Sequence, residues 1–114
     1  SSGSDVIQDK GREKLLNIAT SLKEISQKIP KKIDWILRID GHTDKVPINN
    51  EKFSSNWHLS SSRAINIVKF LIDQGIPPKK LVAAGFGEYS PLVNEEDIVA
   101  YEKNRRIEIK LTTR

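Results

Sequence analysis

The residues between Gly41 and Ala64 hold most of the side chains in this chain that could do chemistry. The stretch GHTDKVPINNEKFSSNWHLSSSRA combines two histidines, several hydroxyl groups, two acids and an arginine. A metal site could use His42, Asp44 and His58, but the chain has no cysteine and no His-x-x-x-His spacing. A serine hydrolase of the common α/β type would need a Gly-x-Ser-x-Gly turn, which the sequence lacks. The sequence therefore predicts no catalytic residue, no metal ligand and no cofactor.

Asp44 and Arg63 are the side chains whose placement is most informative. The helix predicted to follow the loop begins near Ser60, which puts Arg63 in its first turn, where the free amide groups disfavour a cation. A compensating anion is expected, and Asp44 is a candidate. Two interpretations stay open: a salt bridge between Asp44 and Arg63 that holds the loop, or a pocket for a zwitterion. In the pocket, Asp44 would bind an ammonium group, while Arg63 and the helix amides would bind a carboxylate.

The neighbouring residues have mainly structural interpretations. His42 follows a strand and a glycine, and we expect it to hydrogen-bond the loop from beneath. Trp57 is expected to pack the entry of the helix against the core, and the serines at 60–62 are available to cap the helix. Asn56 is expected either to fix amide groups of the loop or to touch a ligand.

The elements that position these residues follow from the spacing of apolar side chains. Apolar residues recur at three- and four-residue steps over 12–29 and 60–74, which predicts two amphipathic helices. Alternation predicts strands over 33–40 and 106–112, a short apolar run predicts another over 81–86, and a short helix is expected within 94–104. The side chains expected to face the core are Ile33, Trp35, Leu37 and Ile39 in the first strand, and Ile107, Ile109 and Leu111 in the last.

This order of elements predicts an α/β (α+β) sandwich, with helices packed on one face of a small mixed β-sheet. At 114 residues the chain is long enough for one domain and too short for two. We predict one domain over residues 12–114. Residues 1–11 are interpreted as a cloning scar or linker, with the start of the first helix.

Charge and hydropathy limit the partners that the sequence predicts. The net charge of +4 permits a polyanionic partner, but acids and bases are interspersed and no basic stripe carries stacking aromatics, so no nucleic acid is expected. No apolar run approaches the roughly 18 residues that span a bilayer. We expect a soluble domain, compatible with the exported part of a longer anchored protein.

Four blocks of the sequence carry a resemblance to a known family. In order they are GHTDKVPI, NWHLSSSRA, GFGEYSP and NRRIEI, and together they resemble the OmpA-like peptidoglycan-binding domain. The resemblance covers about Lys14 to Thr112. Val46-Pro47-Ile48 in the loop and Asn56-Trp57 before the serines are most similar to the MotB-type branch of that family.

The resemblance implies a domain that holds the peptide stem of peptidoglycan without cutting it. In the family, the aspartate of the first block and the arginine of the second grip diaminopimelate, and Asp44 and Arg63 match these positions. Other family positions near the ligand match Thr43, Asn56, Leu59 and Arg105. The sequence departs from the pattern at His58, where an acid is common, and at Ala100-Tyr101, where relatives often have Gly-Arg.

The resemblance also implies a location and partners. We expect a periplasmic domain of a membrane-anchored bacterial protein, joined to the inner or outer membrane only through a segment absent from this chain. The expected partner is diaminopimelate-containing peptidoglycan, and a homodimer is possible in this family. One alternative is the wall-anchoring domain of a MotB-like flagellar stator subunit. The alternative from a different class is a peptidoglycan hydrolase.

Overall fold

The structure is a computed structural model that describes residues 9–44, 53–90 and 105–113. Within these ranges the elements are helix α1 (Asp9–Lys28), strand β1 (Trp35–Gly41), helix α2 (Asn56–Asp73), strand β2 (Leu81–Gly85) and strand β3 (Ile107–Thr113). The predicted α/β sandwich is confirmed. The short helix expected within 94–104 lies outside the described residues, and the domain boundary at residue 12 stays a prediction.

Strand β1 is the centre of the sheet, whose order is β2-β1-β3. It runs parallel to β2, with Gly41 beside Gly85, and antiparallel to β3, with Asp40 beside Glu108. Helix α2 supplies the crossover that a parallel pair requires. The topology therefore brings together the ends of β1 and β2, the beginning of α2 and the residues that precede β3.

The core lies between the helices and one face of the sheet. Its buried members are Leu15, Ala19, Leu37, Ile39, Ala64, Ile67, Phe70, Leu71 and Ile76. Two predictions for the strands are wrong. Ile33 is 38% exposed, because it precedes the start of β1. Leu111 is 48% exposed, because α2 packs over β1 and β2 rather than over β3.

Helix α2 begins at Asn56, which is earlier than the sequence predicts. Ser55 is the cap, and its hydroxyl accepts the backbone N–H of His58 at 3.3 Å. The prediction that the serines at 60–62 cap the helix is therefore wrong, since Ser55 already satisfies a free amide. The predicted place of Arg63 in the first turn is wrong, because Arg63 lies about two turns inside the helix, beyond the free amides of the first turn.

Two paired glycines let α2 approach the sheet closely. A Cβ atom on Gly41 would lie 2.1 Å from the backbone oxygen of Ser60. A Cβ atom on Gly85 would lie 2.0 Å from the hydroxyl of Ser61 and 2.7 Å from its backbone nitrogen. Any side chain here would push α2 outward. The glycine pair thus fixes how close the first turns of α2 lie to the strand ends.

Candidate functional site

Asp44 lies just after β1, where helix α2 and the turn after β2 hold its backbone and that of Thr43. The Thr43 N–H donates to the carbonyl of Gly87 at 2.8 Å, which joins the loop to the turn after β2. The Asp44 carbonyl accepts the Asn56 side-chain amide at 3.3 Å and the Thr43 hydroxyl at 3.1 Å. All three residues are buried. The position of the Asp44 carboxylate is therefore set by the fold rather than by a free loop.

Asp44 forms an ion pair with Arg105. Nη1 of Arg105 donates to Oδ2 of Asp44 at 2.7 Å, and 30% of the Arg105 side chain is exposed against 4% of the Asp44 side chain. Arg105 is held close because the next residue, Arg106, exchanges backbone hydrogen bonds with His42 at 2.9 and 3.3 Å. The structure thus gives Asp44 an arginine partner from the segment before β3.

Arg63 lies on the side of α2 that carries Asn56 and Leu59. The three residues are separated by three and four positions, so they share one stripe of the helix. Asn56 and Leu59 are buried, at 7% and 1% exposed, and Arg63 is partly buried. Arg63 also has a polar or ring contact of its own. Since side chains on a helix lean towards its N-terminus, Arg63 leans towards the end at which Asn56 contacts Asp44.

Thr43, Asn56 and Leu59 therefore support the site from behind. Thr43 and Asn56 donate to the carbonyl of Asp44. Leu59 lies in the interior and holds α2 against the sheet. Of the two interpretations of Asn56 from sequence, the structure favours the fixing of the loop.

His42 packs beneath the site, in a way that the sequence did not predict. Its ring stacks on Phe86, with centroids 4.8 Å apart and planes 9° apart, and Nε2 lies 3.5 Å from a Glu108 oxygen. Nδ1 is buried and finds no hydrogen-bond partner among the described residues. Burial and, after it, the charge of Arg106 lower the pKa of His42 below its usual 6.5. The backbone of His42, rather than its ring, holds the loop.

An ionic network covers the sheet face opposite the helices, and sequence reasoning missed it. Asp40 is fully buried and accepts two hydrogen bonds from Arg38, at 2.7 and 2.9 Å. Arg106 donates to Glu108 at 2.5 Å, which lowers the pKa of that carboxyl, and Lys110 lies 3.8 Å from both acids. The signal was present, because opposite charges alternate on β1 and β3. The network joins the two strands that position Asp44 and Arg105.

Trp57 is not packed on the core, so that prediction is wrong. It is 49% exposed, and its ring stacks on that of Tyr89, with centroids 5.0 Å apart and planes 25° apart. The cause is the early start of α2, which places Trp57 on the first turn of the helix instead of before it.

Two features are absent from the part of the chain that the structure describes. In residues 9–44, 53–90 and 105–113, no three histidine, cysteine or acidic side chains come together in a way that could hold a metal ion. No helix in the same ranges is long and apolar enough to cross a membrane.

The fold and the site together define an OmpA-like domain. The model of the OmpA family matches residues 1–105, and the chain belongs to this family. The resemblance carried by the four sequence blocks is thereby confirmed.

Named relatives extend this assignment. Motility protein B of Bacillus subtilis (strain 168) is 40% identical over 93 residues, which are 81% of this chain and 36% of that protein. The crystal structure of the periplasmic domain of Helicobacter pylori MotB is 29% identical, with a TM-score of 0.81, over 99% of this chain and 74% of that one. The peptidoglycan-associated lipoprotein of Pseudomonas aeruginosa is 29% identical over 72 residues, which are 63% of this chain and 40% of that protein.

The chain spans little more than a third of the length of the curated MotB relatives that it matches, 36% and 35% for two of them. It is a MotB-like periplasmic domain of the bacterial cell envelope. The expected location is thus confirmed.

Proposed function

We propose that this domain binds the peptide stem of peptidoglycan without cutting it and anchors a membrane protein to the cell wall. The observation that carries the proposal is the buried Asp44 carboxylate, which is paired with Arg105 at 2.7 Å. Asn56 of α2 contacts the Asp44 carbonyl, and Arg63 is expected to lean towards this end of the helix. The Pseudomonas aeruginosa relative is a peptidoglycan-associated lipoprotein, and its name supports the ligand class.

The side groups of diaminopimelate fit these charges. The far end of this residue carries an ammonium group and a carboxylate on one carbon, and so offers both a cation and an anion. Asp44 accepts from the ammonium group, and the guanidinium groups of Arg63 and Arg105 donate to the carboxylate. Asp44, Arg63 and Arg105 together carry a net positive charge, which favours a ligand that presents a carboxylate.

Ligand entry requires an exchange of partners at Asp44. Only 3% of Asp44 is exposed, and its carboxylate is paired with Arg105. A buried carboxylate must stay paired, since a lone buried charge costs several kcal/mol, on the order of 3–5. The ligand ammonium group therefore replaces the Arg105 guanidinium, which then turns to the ligand carboxylate. Arg105 can make this turn because 30% of its side chain is already in solvent.

The remaining residues act by positioning. Thr43 and Asn56 hold the carbonyl of Asp44, and buried Leu59 fixes the helix that carries Arg63. These residues direct one carboxylate and two guanidinium groups towards one ligand, and the Thr43 hydroxyl is engaged with the carbonyl of Asp44. We therefore propose that the domain is a binding module rather than a peptidoglycan hydrolase. The affinity of a single site is expected to be modest, and simultaneous binding of many copies along the wall raises the overall avidity.

A second candidate is the wall-anchoring domain of a MotB-like flagellar stator subunit. The observation that favours it is the 40% identity to Motility protein B of Bacillus subtilis. The two candidates share the binding site and differ in the rest of the protein. Sequencing the gene upstream distinguishes them, because a stator subunit needs a transmembrane helix with an aspartate that carries protons.

Co-sedimentation with purified sacculi tests the binding site. Asp44→Ala and Arg63→Ala should abolish pelleting while the far-UV circular dichroism stays that of the folded domain. Asp73→Ala and Arg12→Ala are the matched controls, because both residues are exposed and lie away from the end of β1. Asp44→Asn removes the charge with little change of shape and serves if the alanine variant unfolds.

The site assignment is wrong if both folded alanine variants still pellet with sacculi. Two further readouts address the chemistry. Walls with lysine in place of diaminopimelate should bind more weakly, because lysine lacks the second carboxylate. Release of soluble fragments from sacculi would instead support the hydrolase.

A further inference from the structure

Trp57 and Tyr89 form an exposed aromatic surface that the proposed stem-peptide site does not use. Trp57 is 49% exposed and Tyr89 is 64% exposed, yet the rings stack on each other at 5.0 Å. Large aromatic side chains usually lie in the interior, so a stacked pair in solvent calls for an explanation. We call these two residues the aromatic pair.

The aromatic pair is fixed although it is not buried. Gly87 lies beneath it with φ +60°, and a Cβ atom there would come within 3.4 Å of the Trp57 ring and 3.5 Å of the Tyr89 ring. The Gly87 N–H donates to the hydroxyl of Ser60 at 2.9 Å, and the Tyr89 N–H donates to the Phe86 carbonyl at 3.3 Å. Because the supporting turn is held by hydrogen bonds, the rings lose little further freedom when a ligand binds.

The aromatic pair is attached to the same elements as Asp44. The Gly87 carbonyl accepts the N–H of Thr43, the residue before Asp44. On the helix side, Asn56 precedes Trp57 and donates to the Asp44 carbonyl at 3.3 Å. The two features are therefore neighbours on one surface, and they share both of their supports.

We infer that the aromatic pair is a platform for a hexopyranose ring of the glycan strand. The inference rests on the proposed function, because a stem peptide held at Asp44 brings its own sugar to this surface. A stem of a few residues spans on the order of 10 Å, so it can reach from Asp44 to a neighbouring feature of the same surface. One face of a pyranose ring carries C–H groups that pack on an aromatic ring, and its rim carries hydroxyl groups. The indole N–H of Trp57 and the phenol of Tyr89 offer polar partners for that rim.

The test compares two soluble probes by isothermal titration calorimetry. One is the free diaminopimelate-containing tetrapeptide, and the other is the same tetrapeptide on its N-acetylglucosaminyl-N-acetylmuramyl disaccharide. The intact chain should bind the second probe roughly five- to tenfold more tightly, as expected for one stacking contact. Trp57→Ala and Tyr89→Ala should lose this gain and keep their affinity for the free tetrapeptide. Trp57→Phe should keep part of the gain.

Ile65→Ala is the matched control, because Ile65 is also exposed on α2, at 44%, and should leave both affinities unchanged. Equal binding of both probes by the intact chain overturns the platform, and so does an equal loss for both probes in Trp57→Ala. In either case, tetrapeptide binding that disappears in Asp44→Asn leaves the proposed function standing. If Trp57→Ala changes only the sedimentation velocity of the chain, the aromatic pair is a contact between copies and the inference is wrong. If the tetrapeptide does not bind but the disaccharide probe binds through Trp57, the platform stands and the stem site fails.

Discussion

Replacing Gly41 by alanine should destabilise the domain through one contact. The new Cβ atom would lie 2.1 Å from the Ser60 oxygen and 2.9 Å from its carbonyl carbon, whereas ordinary contact begins at 3.4 Å. Both obstructing atoms belong to the backbone of α2, so no side chain can turn aside. Helix α2 must therefore move out by about 1 Å, and overpacking of this kind typically costs 1–3 kcal/mol.

The upper part of that range is expected, because the helix carries buried residues with it. Leu59 precedes Ser60 and Ala64 lies one helical turn after it, and these two residues are 1% and 0% exposed. A gap of about 1 Å removes roughly a quarter to a half of the dispersion energy of each such contact. We therefore expect a loss of about 3 kcal/mol, with a fall in melting temperature of the order of 10 °C for a domain of this size.

Urea unfolding followed by far-UV circular dichroism measures this loss as a lower midpoint at an unchanged slope. Gly11→Ala is the matched control, since Gly11 lies in helix α1. There alanine has the higher helix propensity and should change stability by no more than a gain of about 1 kcal/mol. A Gly41→Ala midpoint equal to that of the unsubstituted chain would refute the close approach of α2. The folded variant should also bind sacculi more weakly, because α2 carries Arg63 and Asn56.

Two further predictions concern the helix start and the buried histidine. Ser55→Ala removes the cap of α2 and should lower the free energy of unfolding, measured in urea, by about 1 kcal/mol. Ser54→Ala is the control and should lower it less, because Ser55 is the residue that caps the helix. Equal losses in the two variants would place the helix start elsewhere. Because burial lowers the pKa of His42 below 6.5, the unfolded chain takes up more protons as the pH falls through 6.5, and stability should decrease there. The groups around His42 are Glu108 and Asp40, which favour its charged form, and Arg106 and Lys110, which oppose it. His42→Gln should flatten the dependence of the unfolding free energy on pH between about 7 and 5. If the slope is unchanged in this variant, groups other than His42 cause the pH dependence.

The sequence predicts the layers of this fold because burial leaves a periodic trace. Leu37 and Ile39 alternate into the core, and Ala64, Ile67 and Leu71 recur at helical spacing, as the structure confirms. The same rule fails at Leu111, because alternation reports a face of a strand but not whether a helix covers that part of the sheet.

The polar contacts of the site were less accessible to sequence reasoning. The ion pair of Asp44 joins it to Arg105, 61 residues away, and depends on the register of two strands. The sequence predicts Arg63 in the first turn of a helix that begins near Ser60, whereas the cap at Ser55 places it about two turns inside the helix. The family resemblance names Asp44, Arg63 and Arg105 together, and of these the structure pairs Asp44 with Arg105; the ligand-binding role of all three stays a prediction.

The same contacts build the core and the site, so stability and binding are coupled in this domain. Gly41 and Gly85 allow the approach of α2, and the hydroxyl of Ser60 then accepts the N–H of Gly87. The Gly87 carbonyl in turn holds Thr43 beside Asp44. Because this chain of contacts also lies beneath the aromatic pair, a shift of α2 should disturb both proposed ligand contacts together. Asp44→Asn and Trp57→Ala leave the backbone contacts of this chain of residues in place, and for that reason they can separate binding of the stem from binding of the sugar.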